Sequence, residues 1–263
     1  MSLALELIRK SLQRQFAYRA ANLAGFATNL FFGVLRASLF IGVYGTQTTV
    51  AGYSRQAAIT FTALSQAYLS FMFMFGWWDL IRVIKSGDIA SSLLRPVDLF
   101  AWWWWQDVGR ALVQVLWRGL PIVVLFALFY GILLPPSLAH WLAMLAAMFI
   151  GLLTSFSWRF LVSLSAFWTQ DAIGIGRLAW GLSNLLSGFL IPVAYFPDWL
   201  RTAVRFTPFP AMINTPIEIF LGLIPARALP LALVEQSLWA VALVGLCYLV
   251  QTAGLRKLVI HGG

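Results

Sequence analysis

Long apolar runs separated by short polar stretches dominate the chain, and they predict helices that cross a membrane. A bilayer core about 30 Å thick requires roughly 20 apolar residues of helix. Six runs approach or exceed that length. The predicted spans are residues 23–44, 57–78, 112–134, 138–167, 173–195 and 231–254.

Before the first span, apolar residues recur at helical spacing. Leu5, Ile8, Leu12 and Phe16 share one face, and cationic side chains occupy the other. This pattern is typical of an amphipathic helix lying on the membrane surface, so residues 1–19 are predicted to form an interfacial helix. The alternative is a simple cytoplasmic extension of the first span.

The stretch between the second and third spans, residues 79–110, is too polar for lipid and is predicted to be cytoplasmic. Ser86-Gly87-Asp88 is a turn signal, and Asp88 is predicted to cap a short helix that runs through Leu94. A helix too short to span favours contact with a cytoplasmic partner. An ordinary connecting loop is the alternative.

Four consecutive tryptophans, residues 102–105, follow this short helix. Indole rings favour the headgroup zone of a bilayer, and Asp107 and Arg110 are expected to keep the segment near water. We interpret it as an interfacial helix that turns into the third span. An aromatic cage that grips a substrate is the alternative.

A proline-rich segment, residues 196–230, precedes the last span and holds six of the 11 prolines. Pro197-Asp198 is expected to begin a short helix that ends before Pro208, and a second helical piece is expected over 211–221. Both are too short to span. The segment is predicted to form re-entrant or interfacial helices on the outer side, because irregular backbone at membrane depth must be covered by protein or water.

Composition narrows the class of protein further. Charged residues make up 10% and hydrophobic residues 61%, whereas soluble domains carry roughly 25% charged residues. A soluble enzyme is therefore excluded as an interpretation of the whole chain. The fold class is predicted to be all-α, a polytopic membrane protein with one transmembrane domain over 1–263.

The charge pattern predicts orientation. Twelve of the 18 Lys and Arg residues fall on the side of the two termini and four on the other side. Because Lys and Arg collect in cytoplasmic loops, both termini are predicted to be cytoplasmic. The net charge of +9 is thus explained by topology, and no nucleic-acid partner is expected.

Motifs of catalysis and ion coupling are missing from the sequence. No Lys follows a Gly, so there is no phosphate-binding G-x-x-x-x-G-K-[ST] loop, and His140 and His261 lack partners at metal-ligand spacing. The acids are expected at membrane edges and in loops. Arg36 and Arg159 fall within spans, where snorkelling or a polar cavity contact would explain each.

The layout and two local motifs resemble ABC-2 type permeases, the membrane subunits of ATP-driven exporters. The motifs are the sequence from Ile84 to Ile89 followed by Leu93-Leu94-Arg95-Pro96, and Phe196-Pro197 followed by a short helix and Pro208. The resemblance covers the whole chain in layout and implies a multi-pass protein of a bacterial inner membrane. A secondary transporter or channel that works alone is the alternative.

By this resemblance, a separate ATPase subunit binds ATP and Mg²⁺, so this chain would need no cofactor of its own and would not itself be an enzyme. The ATPase would dock on the coupling region 79–110, and the residues assigned to that contact are Lys85, Gly87, Asp88, Leu94 and Arg95. The family works as a dimer of permeases, with a second copy or a related permease as partner.

Two spans carry further candidates. Tyr68, Met72 and Phe75 share one face of the second span, and Gln66 lies beside that face. These four residues are predicted to line a cavity for an amphiphilic or lipid-like substrate together with Asn184 of the fifth span, because a lipid-facing helix has no need of a Gln near mid-membrane. Ordinary packing, with Gln66 bonded to a neighbouring helix, is the alternative.

Small residues at a spacing of four mark the fifth span. Ser183, Ser187 and Gly188 would let two helices approach closely, so they are assigned to the permease–permease seam. Packing within one subunit is the alternative.

Overall fold

The fold was analysed in a computed structural model, which describes residues 3–17, 19–72, 77–94, 97–169 and 171–257. The chain is about 79% helical. The helices are α1 (Leu3–Ala17), α2 (Arg19–Tyr44), α3 (Arg55–Met72), α4 (Asp79–Lys85), α5 (Ile89–Leu93), α6 (Leu99–Gln114), α7 (Leu120–Phe129), α8 (Leu138–Leu164), α9 (Ala172–Leu186), α10 (Asp198–Arg205), α11 (Asn214–Phe220) and α12 (Leu229–Leu255).

Four helical stretches within the described residues are long and apolar enough to cross a membrane. They are Arg19–Tyr44, Leu99–Phe129, Leu138–Phe167 and Ala226–Leu255. The two other predicted spans correspond to α3 and α9, which have 18 and 15 residues. The chain is therefore a nearly all-α membrane protein with four helices that meet the criteria of a span by themselves.

Helix α3 lies at the centre of the bundle. All of its residues from Ala57 to Met72 are buried, and it packs against α2, α6 and α7. Its serine and threonine hydroxyls bond to carbonyl oxygens of its own preceding turn, as Thr62 does to Ala58 and Ser70 to Ala67. Because these polar groups are satisfied within the helix and shielded by neighbours, α3 tolerates a less apolar sequence than a lipid-facing span.

The N-terminal helix α1 packs along the tryptophan-rich helix α6. Gly109 of α6 makes the close approach possible, since a Cβ there would lie 2.8 Å from both the Ile8 carbonyl oxygen and the Ser11 Cβ. The Ser11 hydroxyl donates a hydrogen bond to the Gln106 carbonyl, 2.8 Å away. At Ile8 and Ser11, α1 thus packs directly against α6.

Helices α6 and α7 join through a π-helical turn, Val115–Gly119, into one helical stretch, Leu99–Phe129. Pro121 lies in the first turn of α7 and lacks the N–H that would continue a regular helix. The helix before the third predicted span, 112–134, agrees with the one expected over the tryptophan run. The predicted end is wrong, because the helix ends at Phe129, before Gly131 with its φ of +67°.

The fifth predicted span, 173–195, is also wrong as a continuous helix. Helix α9 stops at Leu186, and Gly188 adopts a φ of +81°. A Cβ at Gly188 would lie 2.8 Å from Oδ1 of Asn214. This close approach couples the end of α9 to α11 and requires glycine.

A two-stranded hairpin, β1 (Thr49–Val50) and β2 (Tyr53–Ser54), connects α2 to α3 and was not expected from the sequence. The strands are antiparallel. Ala51 and Gly52 between them both have positive φ, as the tightest hairpin turns require. In the proline-rich segment, α10 and α11 are short, with eight and seven residues.

Candidate functional site

The coupling region contains two short helices joined by an exposed turn. Helix α4 buries Leu80, Ile81 and Ile84 against α8 and the residues that follow it, and α5 buries Ile89. Between them Gly87 has a φ of +80°, a conformation that glycine adopts at little cost. Buried isoleucines on both sides therefore hold a sharp turn at the protein surface.

The described residues assigned to coupling lie on the exposed side of this turn. Lys85, Gly87 and Asp88 are exposed, and Leu94, at the end of α5, is 87% exposed. Arg95 lies outside the described residues. The assigned positions that the structure describes are therefore all accessible on the surface of the chain.

One detail of the prediction is wrong. Asp88 precedes α5, but its side chain makes no capping bond to the helix. Its carboxylate instead accepts a hydrogen bond from the Ser86 hydroxyl at 2.7 Å. Both side chains belong to the turn, so the bond stabilises the turn itself.

A buried cluster of charges lies where α3, α6 and α8 meet. Asp107 of α6 accepts hydrogen bonds from Nε of Arg110 at 2.9 Å and from Nη2 of Arg159 at 2.7 Å. The side chains are 2%, 9% and 11% exposed, respectively. Arg110 also donates to the Phe71 carbonyl at 2.6 Å. Its positive charge thus neutralises the carbonyl end of α3.

This cluster corrects three expectations. Asp107 and Arg110 do not lie near water, and Asp107 is an acid inside a candidate membrane-crossing helix. Arg159 does not snorkel, because its guanidinium pairs with Asp107. Asp107 and Arg110 stand three residues apart on one helix, a spacing that permits an ion pair, but no sequence signal links either one to Arg159.

Tryptophan side chains connect this cluster to the residues just before α4. The guanidinium of Arg159 lies 5.4 Å from the ring centre of Trp77. Trp77 stands two residues before the start of α4 at Asp79. The Trp77 ring makes an edge contact with Trp103 at 5.6 Å. Trp104 packs against Phe149 and Phe156. At least two members of the tryptophan run therefore pack against other aromatic side chains of the subunit.

Arg36 of α2 also contacts protein and does not snorkel. Its guanidinium donates to the carbonyl of Phe189 and to the Ser65 hydroxyl, and it donates to the Leu190 carbonyl at 3.1 Å. These carbonyls belong to the irregular backbone just after α9. Arg36 thus supplies hydrogen bonds that a helix would otherwise have provided at membrane depth.

The candidates for the substrate pathway are buried in helix packing. Gln66, Tyr68 and Met72 on α3 and Asn184 on α9 are all less than 9% exposed, and Phe75 lies outside the described residues. Gln66 Oε1, the Tyr68 hydroxyl and Asn184 Oδ1 have no hydrogen-bond partner among the described residues. These three buried polar atoms are costly as they stand, at about 1–3 kcal/mol each.

The small residues assigned to the seam also make contacts within the chain. The Ser183 hydroxyl bonds to the Ala179 carbonyl at 2.7 Å. The Ser187 carbonyl accepts a hydrogen bond from the Asn214 amide at 3.0 Å, and Gly188 contacts the Asn214 side chain. The exposed apolar side chains of α9 are Ile175, Leu178, Leu182 and Leu185.

A tyrosine network, which no sequence pattern indicated, joins the hairpin to the proline-rich segment. The Tyr53 hydroxyl donates to Glu218 at 2.8 Å, and the hydroxyls of Tyr44 and Tyr195 lie 2.7 Å apart. Burial raises the pKa of Glu218, against smaller lowering contributions from hydrogen bonds with Tyr53 and Asn214 and from the charge of Arg205. Burial and the neighbouring carboxyl likewise raise the pKa of Tyr53.

Metal ligands are not gathered anywhere in the part of the chain that the structure describes: no group of three or more His, Cys, Asp and Glu residues there lies in position to hold an ion.

In comparison with known proteins, a family model described as "ABC-2 family transporter protein" matches residues 32–262. No curated protein and no solved structure gives a significant match.

Proposed function

This chain belongs to the ABC-2 family of transporter membrane proteins, and from that premise we propose that it is the permease subunit of an ATP-driven exporter. In this proposal, a separate ATPase binds ATP and Mg²⁺. The permease forms the pathway for a hydrophobic or amphiphilic substrate in a bacterial inner membrane. ABC-2 permeases are typically not enzymes themselves, so the chemistry of ATP hydrolysis resides in the partner.

We propose six membrane-crossing elements with both termini in the cytoplasm. Helix α3, with 18 residues, is about 27 Å long at 1.5 Å per residue, which nearly matches the bilayer core. Helix α9 is shorter and is continued by irregular backbone, where Arg36 bonds to carbonyl oxygens. These contacts support a crossing made by a broken helix.

The observation that carries the proposal is the exposed turn between α4 and α5 and its connection to the buried charges. An ATPase that moves this turn would move α4, which packs on α8. Arg159 of α8 pairs with Asp107, and Arg110 holds the end of α3. A continuous chain of contacts therefore leads from the surface to the central helix, as coupling between two global states requires.

The unsatisfied polar atoms support a pathway beside α3. Gln66, Tyr68 and Asn184 each bury an oxygen without a hydrogen-bond partner among the described residues. A conformational state in which these atoms meet water or the polar end of a substrate would recover that cost. We propose that they face the pathway when it opens, with Met72 as an adaptable apolar contact.

A second permease, either another copy or a related chain, completes the proposed assembly. The family resemblance supports this dimer. Cysteines at Ser183 and Ser187 would test whether α9 lies at the seam, with Leu182 on the exposed face of the same helix as the comparison. If only a cysteine at Leu182 crosslinks between subunits, the seam lies on that exposed face.

Photo-crosslinking in cells that also make an ATP-binding-cassette ATPase encoded beside this chain would test the proposal. A photoreactive residue at Leu94 should crosslink to the ATPase, and one at Trp199 should not. Both side chains are highly exposed, at 87% and 72%, but the proposed topology places them on opposite sides of the membrane. Equal crosslinking from both positions, or none from Leu94 while the complex co-purifies, would refute the coupling assignment.

A further inference from the structure

A cavity of about 830 Å³ lies between the proline-rich segment and α12. This volume is within the range of small-molecule sites, roughly 300–1,000 Å³. Its walls carry Arg201 and Arg205 from α10, Glu218 from α11, and Glu235, Gln236 and Trp239 from α12. None of these residues belongs to the coupling region or to the pathway candidates.

Polarity changes along α12 where it lines the cavity. Glu235 and Gln236 lie nearer the beginning of this helix, and Leu238, Trp239 and Ala242 lie further along it. Gln236 is seven residues from Leu229, about 10 Å at 1.5 Å per residue. A polar end followed by an apolar wall matches an amphiphile at the boundary between headgroups and acyl chains. Indole rings also prefer that boundary.

One buried acceptor atom on the cavity wall, Oε1 of Gln236, is not matched by a hydrogen-bond donor among the described residues. Gln236 is 2% exposed, and its amide nitrogen donates to the carbonyls of Ala147 and Ala211 at 2.8 and 2.6 Å. An unpaired buried acceptor is costly, and a hydrogen-bond donor that reached this atom would recover that cost.

The charges on the wall have both signs. Arg201 and Arg205 offer cations from α10, and Glu235, the neighbour of Gln236 in sequence, offers an exposed carboxylate. Arg201 also pairs with Asp198, so Arg205 is the cation with greater freedom to contact a ligand. An anionic ligand would use only the arginines, and a cationic ligand only the acceptors.

We infer that this cavity binds the zwitterionic head group of a phospholipid that carries a phosphate and a primary ammonium, such as phosphatidylethanolamine. The phosphate contacts Arg205 and Arg201. The ammonium donates to Glu235 and to Oε1 of Gln236, and the chain region of the lipid lies along Leu238, Trp239 and Ala242. Binding at this site does not require ATP hydrolysis or the proposed transport activity.

Native mass spectrometry of the full chain in detergent, with equal amounts of phosphatidylethanolamine and phosphatidylglycerol, tests the inference directly. The wild type should retain the ethanolamine lipid in preference. Glu235→Gln should abolish that preference, with a loss of about tenfold for the ethanolamine lipid alone. Arg205→Gln should weaken both lipids, and Arg227→Gln, an exposed arginine outside the cavity, should change neither.

Two results would overturn the inference. If the wild type retains both lipids equally, or if Glu235→Gln keeps the preference while still folded, the ammonium contact is wrong. If free phosphoethanolamine displaces the lipid at equal concentration, the ligand is a soluble head group and the apolar wall is not used. Because the purified chain is measured without an ATPase, failure here leaves the exporter proposal to its own crosslinking test.

Discussion

Nη2 of Arg159 lies 2.7 Å from Oδ2 of Asp107, across the contact between α8 and α6 and away from solvent. Asp107 is shared with Arg110, so one carboxylate balances two guanidinium groups. Burial makes such a cluster sensitive to the loss of one partner, since the groups left behind remain charged in a medium of low polarity.

We therefore expect Asp107→Ala to lower the free energy of unfolding by about 3–5 kcal/mol. Asp198→Ala is the matched control, because Asp198 also pairs with an arginine three residues later but is exposed. It should cost only about 0–1 kcal/mol. Denaturant unfolding of both variants in the same detergent measures the difference, and equal losses would show that burial of the cluster contributes nothing.

The turn at Gly87 provides a prediction about coupling. Gly87→Val places a β-branched side chain at a φ of +80°, which strains the turn and should weaken ATPase binding. Transport should fall while membrane insertion persists. Gly181→Val, at a helical glycine with no atom near its missing Cβ, is the control. A Gly87→Val variant that binds the ATPase and transports like the wild type would contradict the coupling assignment.

Accessibility during ATP cycling tests the pathway beside α3. Single cysteines at Gln66, Tyr68 and Met72 in a Cys247→Ala background should react slowly with a membrane-impermeant thiol reagent at rest, because all three positions are buried. ATP should increase the labelling of at least one of them. A cysteine at Gln47, an exposed position outside the coupling region, should label in every state. Protection of all three positions in each nucleotide state would rule out a pathway on this face.

Burial of Glu218 predicts a dependence of stability on pH. Its pKa is raised in the folded chain, whereas an unfolded glutamate has a pKa of about 4.3. The folded state therefore binds the proton more tightly. The stabilisation that Glu218 contributes to the folded state is fully present below the unfolded pKa and is lost as pH rises through the folded pKa.

We expect the thermal unfolding midpoint to fall as the pH rises above the unfolded pKa of about 4.3, and Glu218→Gln should reduce that fall. Glutamine keeps an oxygen that accepts the hydrogen bond from Tyr53 but does not ionise. The wild-type chain, unfolded in parallel over the same pH range, is the reference. An unaltered slope in Glu218→Gln would show that this residue does not titrate differently in the folded state.

The sequence by itself determined the class of the protein and much of its layout. Long apolar runs favour helices in a membrane, where a helix satisfies its own backbone groups, so the helical fold and the four long candidate spans follow from composition and length. The turn at Gly87 was also readable, because its chemistry is local to three consecutive residues. The family match to residues 32–262 agrees with the resemblance found in those local motifs.

Only the tertiary structure decided where the polar groups of the membrane region are satisfied. Arg159 and Asp107 are 52 residues apart, and Arg36 and Phe189 are 153 apart, so no periodicity within one helix reveals either contact. The break after Leu186 likewise depends on Asn214, which lies on another helix and leaves no room for a Cβ at Gly188. Hydropathy measures the cost of placing a residue in lipid, whereas these residues are surrounded by protein, and their partners are set by packing between distant helices.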